Sequence, residues 1–147
     1  MATLIKNRGL QYPLEALFEF DIASGDVMVA TNGVSQTFKA TAGIFDVVAL
    51  PVNSQVTGGD LTVDVVSNDT GTATLSVGDS GSATRYLGAT SIKSAARTAL
   101  VPTGFMNSSG LDVRITLANG TGDATTGKVR LRVSYIVKNR QNETQIY

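Results

Sequence analysis

One segment of the sequence has the residue types of a catalytic nucleophile. Gly78-Asp79-Ser80-Gly81 places a hydroxyl beside a carboxyl between glycines, an order in which serine hydrolases present their nucleophile. A serine hydroxyl needs a neighbouring base, and that base is most often histidine, which this chain lacks. The nearest lysine, Lys93, has no spacing known for a serine–lysine pair. The segment therefore predicts a polar turn between two strands, not an active site.

Pairs of carboxylates are the second pattern that could do chemistry. Glu15 with Glu19, and Asp60 with Asp64, carry the groups that glycosidases use. On a strand, however, residues four apart lie about 13 Å from each other, farther than either glycosidase geometry allows. The chain also has no cysteine or histidine to bind zinc, copper or haem. We therefore expect a protein that is not an enzyme and has no cofactor, no metal site and no small-molecule substrate.

Composition describes a globular chain. Of 147 residues, 42% are hydrophobic and 16% are charged, with a formal net charge of zero, which is typical of one folded domain over residues 1–147. No apolar segment is long enough for a signal peptide or a membrane span, so we expect no membrane partner. Tyr135 falls on the apolar face of the basic strand, away from its arginines, so we expect no nucleic-acid partner.

Charge is distributed unevenly along the chain. Between Glu15 and Asp79 there are nine acidic residues and one basic residue, whereas between Ser80 and Arg140 there are nine basic residues and two acidic ones. Two interpretations are open. The strands of the two halves can interleave the signs within one sheet, or the folded protein can have two oppositely charged faces suited to docking.

Alternation and turn residues predict many short strands. In 128–138 the residues Val129, Leu131, Val133, Tyr135 and Val137 share one face, and the basic residues lie mostly on the other. Further strands are predicted at 14–20, 26–30, 36–40, 44–51, 60–68, 72–78, 98–102 and 112–118, with 60–68 and 72–78 forming a hairpin-like pair. Residues 90–100 have apolar side chains at helical spacing, which favours a short helix or an irregular segment.

These elements predict an all-β fold. We expect an antiparallel β-sandwich of jelly-roll or Greek-key type over residues 13–140, with an extended N-terminal arm over 1–12 and a C-terminal tail over 141–147. Both terminal segments contain apolar residues without strand alternation, which favours contact with another molecule.

The later part of the sequence resembles a known family. The run 75–100, Pro102-Thr103-Gly104, 112–117 and 127–137 together resemble the cement, or capsid decoration, proteins of tailed bacteriophages, especially the jelly-roll type of short-tailed phages. The resemblance extends from about Val47 to Arg140 and lies in pattern and order rather than in a catalytic motif.

The resemblance implies a non-enzymatic virion structural protein. Such a protein binds the outer surface of the capsid, bridges major capsid subunits, associates with itself as a homodimer or trimer, and is made in the host bacterial cytoplasm. The alternative is a head-fibre or tail accessory β-sandwich that binds a host glycan or protein, although the absence of tryptophan argues against a glycan platform.

The family does not itself assign binding residues to this sequence. Arginine, tyrosine and apolar side chains are favoured at interfaces, and Tyr86 could equally be a core residue. The candidate interface residues are Ile5, Lys6, Arg8, Leu10, Arg85, Tyr86, Ile146 and Tyr147.

Overall fold

The computed structural model describes residues 13–138, which form eleven strands and no helix. None of these residues therefore belongs to a helix that could cross a membrane. The strands are β1 (Leu14–Asp21), β2 (Val27–Val29), β3 (Ser35–Thr37), β4 (Gly43–Val48), β5 (Ser54–Val65), β6 (Ala73–Gly78), β7 (Leu87–Ser91), β8 (Arg97–Ala99), β9 (Met106–Asn107), β10 (Val113–Asn119) and β11 (Lys128–Val137).

The strands form two main sheets and a ribbon. The first sheet has the order β1-β11-β5-β8, with β9 also paired to β5, and the second has the order β4-β10-β6-β7. Strands β2 and β3 pair only with each other, and every pairing is antiparallel. The chain passes from one sheet to the other between β4, β5 and β6. The predicted all-β antiparallel fold is confirmed, and it is consistent with a sandwich of jelly-roll or Greek-key type.

Strand β11 shows how the sequence pattern builds the core. Val129, Leu131 and Val133 are buried, while Arg130 is exposed and Arg132 is partly exposed on the opposite face. The buried set joins inward-facing residues of the second sheet, such as Leu75 and Ile115, in a single apolar core. Burial of this face supplies the main driving force for bringing the sheets together.

Phenylalanines connect the first sheet, the ribbon and the second sheet. Phe20 of β1 stacks on Phe38, which follows β3, with ring centroids 4.3 Å apart. Phe38 in turn contacts Phe45 of β4 at 4.7 Å. Aromatic contacts of this kind add to the free energy gained by burial alone. The ribbon is therefore anchored to both sheets through Phe38, the residue that follows β3.

Two sequence predictions are wrong. Strands β5 and β6 do not form a hairpin, because β5 belongs to the first sheet and β6 to the second. Residues 90–100 contain no helix, and the other interpretation, an irregular segment, is correct between β7 and β8. The reason lies at Ile92, whose amide donates to the Ala73 carbonyl while its own carbonyl accepts from the Ser67 amide. Through these two bonds Ile92 is connected to the loop that follows β5 and to the first residue of β6. Ile92 could not make both bonds if it lay within a helix.

The strand registers place several loops at the same end of the sandwich. Leu14 at the start of β1 pairs with Tyr135 near the end of β11, and Ser54 at the start of β5 pairs with Val137. In the second sheet, Val48 pairs with Val113. We call this the terminal end, formed by residues 13–14, 49–53, 78–86, 100–112 and 138. The opposite end carries the loops 66–72 and 119–127, and we call it the distal end.

Candidate functional site

The Gly-Asp-Ser-Gly segment is a turn organised by its aspartate. Asp79 is 2% exposed, and its Oδ1 accepts hydrogen bonds from the amides of Gly81 and Ser82, both at 2.9 Å. Its Oδ2 accepts from the Nε of Arg85 at 2.5 Å. Ser80 lies exposed at the tip of the turn. Asp79 makes the hydrogen bonds that shape the segment, so the predicted polar turn between two strands is confirmed.

Arg85 and Tyr86 occupy different environments. The guanidinium of Arg85 lies 3.6 Å from the ring centroid of Phe105, a cation–π contact that joins the turn to the 100–112 loop. Tyr86 is 2% exposed and belongs to the core, where burial and the nearby Asp79 carboxylate raise its pKa. Tyr86 is therefore a core residue in the isolated chain, which is one of the two positions that the sequence left open. The side chain of Arg85 remains 19% exposed at the terminal end.

The terminal end holds the points at which the two terminal segments join the sandwich. Residues 1–12 join the sandwich at β1, and residues 139–147 join it after Lys138, whose amide donates to the Asn53 carbonyl. Ile5, Lys6, Arg8, Leu10, Ile146 and Tyr147 all lie outside the described residues. Their points of attachment are adjacent because β1 and β11 are antiparallel neighbours, and Arg85 lies at the same end.

Exposed apolar side chains occur at the same end. Leu14 is 37% exposed, Val52 55%, Val101 68% and Met106 39%. Scattered apolar residues are normal on a protein surface, but a set gathered at one end favours a contact surface. Sequence reasoning missed these residues because they belong to three separate segments of the chain, which only the sheet registers bring to one end.

The outer face of the first sheet carries a network of ion pairs. Asp60 accepts hydrogen bonds from Arg97 on β8 and from Arg132 on β11, each at 2.9 Å to the same oxygen. Arg132 also reaches Glu15 on β1 at 3.3 Å. Although partial burial raises the pKa of Asp60, the two arginines outweigh that effect and lower it. A shallow groove of about 370 Å³ lies over this network, lined by Leu17, Asp60, Thr62, Arg97, Arg130 and Arg132.

This network decides between the two interpretations of the uneven charge. Acidic strands β1 and β5 flank basic β11, and β8 with Arg97 lies on the other side of β5. In the second sheet, Arg114 on β10 forms an ion pair with Asp46 on β4 at 2.7 Å. The two halves of the chain therefore interleave their charges strand by strand. Within residues 13–138, the alternative of two oppositely charged faces is wrong.

A second polar network closes the distal end. The buried carboxylate of Asp69 accepts hydrogen bonds from the Gly71 amide at 2.7 Å, the Gly122 amide at 2.8 Å and the Thr121 hydroxyl at 2.9 Å. Asp123 accepts from the Thr70 hydroxyl at 2.7 Å. Its other oxygen lies 2.6 Å from the Thr121 hydroxyl, whose single proton is shared between Asp69 and Asp123. These bonds tie the 66–72 loop to the 119–127 loop.

The distal network shifts the pKa values of both carboxyls. Hydrogen bonds from the Thr121 hydroxyl and from the amide and hydroxyl of Thr70 lower the pKa of Asp123 to about 2. For Asp69, burial raises the pKa, but the bonds from Thr121, Gly71 and Gly122 outweigh it and the net shift is downward. Both carboxylates are acceptors for local donors, and residues 13–138 contain no group of three or more potential metal-binding side chains. The network is a structural link between two loops.

The comparisons with known proteins point to one kind of particle. No protein-family model matches the chain, and no curated protein matches it. A chain of the cyanophage Pam1 capsid asymmetric unit is 26% identical, with a TM-score of 0.58 over 93% of this chain and 92% of that chain. The chain is similar to chains of phage capsids.

A second solved structure shares the fold. It is a chain of the acid-stable capsid of Helicobacter pylori bacteriophage KHP30, with a TM-score of 0.60, 21% identity, and coverage of 86% of this chain and 88% of that chain. In both comparisons the shared region is nearly the same fraction of the two chains. The likeness therefore covers most of each of the compared chains.

Proposed function

We propose that this protein is a virion structural protein that binds the outer surface of a phage capsid and stabilises it by bridging major capsid subunits. The observation that carries the proposal is the similarity over 93% of its length to a chain of the Pam1 capsid asymmetric unit.

The physical character of the sandwich suits this role. A protein that stabilises a shell needs a rigid body and contact surfaces, whereas it needs no catalytic group. Rigidity is favoured by the single apolar core and by the ion pairs that connect neighbouring strands of both sheets. The structural role of the Gly-Asp-Ser-Gly turn favours a protein without enzymatic activity or a cofactor.

The terminal end is the surface we assign to the capsid. Leu14, Val52, Val101 and Met106 expose apolar side chains there, and Arg85 is partly exposed beside Phe105. Interfaces favour arginine and apolar side chains at their centres. The arm residues Ile5, Lys6, Arg8 and Leu10 and the tail residues Ile146 and Tyr147 join this surface in the proposal.

The partners in this proposal are the major capsid protein and further copies of the chain itself, as a homodimer or a trimer. The protein is made in the host bacterial cytoplasm and acts on the outer surface of the capsid. Each contact can be weak, because the first contact of a molecule raises the effective concentration for its next one. Contacts repeated over the symmetric lattice would therefore give firm attachment together. Nucleic acid, membranes and small-molecule substrates have no part in this function.

Binding to heads tests the proposal directly. Phage heads made without this protein are mixed with increasing amounts of it and pelleted through sucrose, and bound protein is measured against capsid subunits. We expect saturation at a ratio set by the lattice, with density on the outer shell in cryo-electron microscopy. A variant lacking residues 1–12 and the charge variant Val101→Lys should bind less, while Val65→Lys, at an exposed valine of the distal end, should bind normally. Absence of binding, or density inside the shell or on the tail, would contradict the proposal.

A further inference from the structure

The shallow groove on the outer face of the first sheet carries a local excess of positive charge. Three arginines and one carboxylate line it, which gives the lining a net charge of +2. Other acidic residues of the sheet, Glu15, Glu19 and Asp64, lie outside this lining on β1 and β5. We call the site the arginine groove, and its lining residues are Leu17, Asp60, Thr62, Arg97, Arg130 and Arg132.

The strand registers leave two of these arginines without a carboxylate between them. Thr62 on β5 pairs with Arg130 on β11 and with Arg97 on β8. Directly opposite residues of antiparallel strands point to the same face, so the two arginines flank Thr62 with their Cα atoms about 10 Å apart. In the neighbouring row, Arg132 pairs with Asp60. The position between Arg97 and Arg130 is therefore occupied by a neutral hydroxyl side chain.

Both flanking arginines keep hydrogen-bond donors for a further acceptor. A guanidinium has five N–H donors. Within residues 13–138, the Arg130 side chain makes one hydrogen bond, from Nη2 to Asp64 at 3.4 Å. Arg97 directs Nε and Nη2 to one oxygen of Asp60, at 2.9 and 2.8 Å. The side chains of Arg97 and Arg130 are 63% and 45% exposed, so their remaining donors are accessible to a partner.

Asp60 fixes part of this donor set in advance. Its side chain is 11% exposed, and its carboxylate accepts from both Arg97 and Arg132. Because these bonds restrain the two guanidiniums before a partner arrives, binding an anion costs less conformational entropy than ordering free arginine side chains. Guanidinium groups bind carboxylates through charge-assisted hydrogen bonds that are often paired. The arginine groove is therefore suited to a further carboxylate.

We propose that the arginine groove is a docking site for an acidic segment of a neighbouring protein, in which Arg97, Arg130 and Arg132 bind a carboxylate over Thr62. The charge of the lining is complementary to such a segment. The proposal goes beyond the proposed function, because it adds a contact surface at the side of the sandwich and does not depend on which protein supplies the segment.

The surroundings of the groove favour a protein segment over nucleic acid. Leu17, which is 63% exposed, pairs with Arg132 and offers an apolar contact to a side chain next to the bound carboxylate. A phosphate backbone carries a continuous row of negative charges, and these would approach the acidic residues around the groove, Glu15, Glu19 and Asp64. No aromatic residue lines the groove to stack on a base.

The test titrates the purified full chain with a defined acidic peptide. The probe is the capped peptide Glu-Glu-Leu-Glu-Glu, and the capped peptide Gln-Gln-Leu-Gln-Gln is its uncharged control. Binding is followed at low salt by NMR of the arginine Nε–Hε signals, which report each guanidinium separately. The groove variants are Arg130→Gln and Arg97→Gln, which both leave Asp60 paired with Arg132. Lys39→Gln is the matched control, since it removes the same charge from an exposed residue outside the groove. Circular dichroism melting confirms that each variant is folded.

We expect the acidic peptide to shift the signals of Arg97, Arg130 and Arg132 saturably, and high salt to weaken its binding. Each groove variant should bind the peptide at least about threefold more weakly, because one of three guanidiniums is lost. Lys39→Gln should bind it as the wild type does. Because no heads are present, these results are independent of capsid binding at the terminal end.

Three results would overturn the proposal: no saturable shift, equal shifts with the glutamine peptide, or an equal loss of binding in Lys39→Gln. Inorganic phosphate and a single-stranded oligonucleotide are titrated in parallel. Either of them saturating the same signals at a lower concentration than the acidic peptide would also overturn it, because the groove would then be a site for phosphate groups.

Discussion

Arg85 and Asp79 form an ion pair across the turn after β6, with Arg85 Nε 2.5 Å from Asp79 Oδ2. The carboxylate is almost fully buried, and its other oxygen holds two backbone amides of the same turn. The guanidinium, placed by this bond, lies over the ring of Phe105. One acidic side chain thus shapes the turn and connects it to the 100–112 loop, while the neighbouring Ser80 takes no part.

Removing this carboxylate should destabilise the fold strongly. Asp79→Ala leaves Arg85 and two turn amides without their acceptor, and we expect the free energy of unfolding to fall by about 3 kcal/mol. Ser80→Ala is the control and should change it by less than about 0.5 kcal/mol. Urea unfolding followed by circular dichroism measures both values. Equal stabilities of the two variants would show that Asp79 does not organise the turn.

The glycine that opens the same turn should not tolerate a side chain. A Cβ on Gly78 would fall well inside van der Waals contact with the backbone of Ser82 and Ala83, which cannot move aside as a flexible side chain would. We expect Gly78→Ala to lower the free energy of unfolding by about 3 kcal/mol. Gly88→Ala is the matched control, because nothing lies within 4 Å of its Cβ position. Thermal melting of the two variants compares them, and a normal melting temperature for Gly78→Ala would contradict the close packing of this turn.

The distal network should make stability depend on pH in acid. The folded-state pKa of Asp123 is about 2, below its ordinary value of 3.8, and that of Asp69 is also lowered. Such carboxyls stabilise the fold above their ordinary pKa, and this contribution is lost as the pH falls through the folded-state pKa. The free energy of unfolding should therefore decrease between about pH 4 and pH 2.

Asp123→Asn tests whether the Asp123 carboxylate causes the loss of stability in acid. The amide keeps an acceptor for Thr70 and Thr121, but it does not titrate. We expect urea unfolding of this variant to depend less on pH in that range than unfolding of the wild type. Asp112→Asn, at an exposed carboxylate of the terminal end, should keep the wild-type dependence. An Asp123→Asn variant with an unchanged pH profile would assign the acid sensitivity to other groups.

The shared carboxylate of Asp60 should make its two arginines energetically coupled. Either Arg97 or Arg132 alone can still pair with Asp60, whose side chain is only 11% exposed. Removing both leaves that carboxylate unpaired. We expect the double variant Arg97→Met/Arg132→Met to lose about 1 kcal/mol more stability than the sum of the single variants.

A double-mutant cycle by urea unfolding measures this coupling. The control pair is Arg97 with Arg130, since Arg130 bonds instead to the more exposed Asp64 at 3.4 Å. That pair should be additive within about 0.5 kcal/mol. Additive losses for Arg97 and Arg132 would mean that Asp60 is not effectively shared.

The amino-acid sequence by itself determined the fold class and the strand faces. Alternation in β11 correctly predicted its buried side, because side chains of a strand point alternately to opposite faces and this pattern is local. Composition by itself showed that the chain has no histidine to activate Ser80. Most strands were predicted within a few residues. Strands β7 and β9 were missed because they are short. They form by pairing with β6 and β5, and their own residues show no clear alternation.

Only the tertiary structure decided which strands are neighbours, and the candidate surfaces depend on that choice. The sheets separate β5 from β6 although the two are close in sequence, and they interleave the acidic and basic halves. They also bring the points where both terminal segments are attached to the end that holds Arg85. The same packing leaves the valines of the ribbon uncovered. Alternation specifies which side of a strand is buried, but strand order and register depend on the packing of the whole core, to which residues far apart in the sequence contribute.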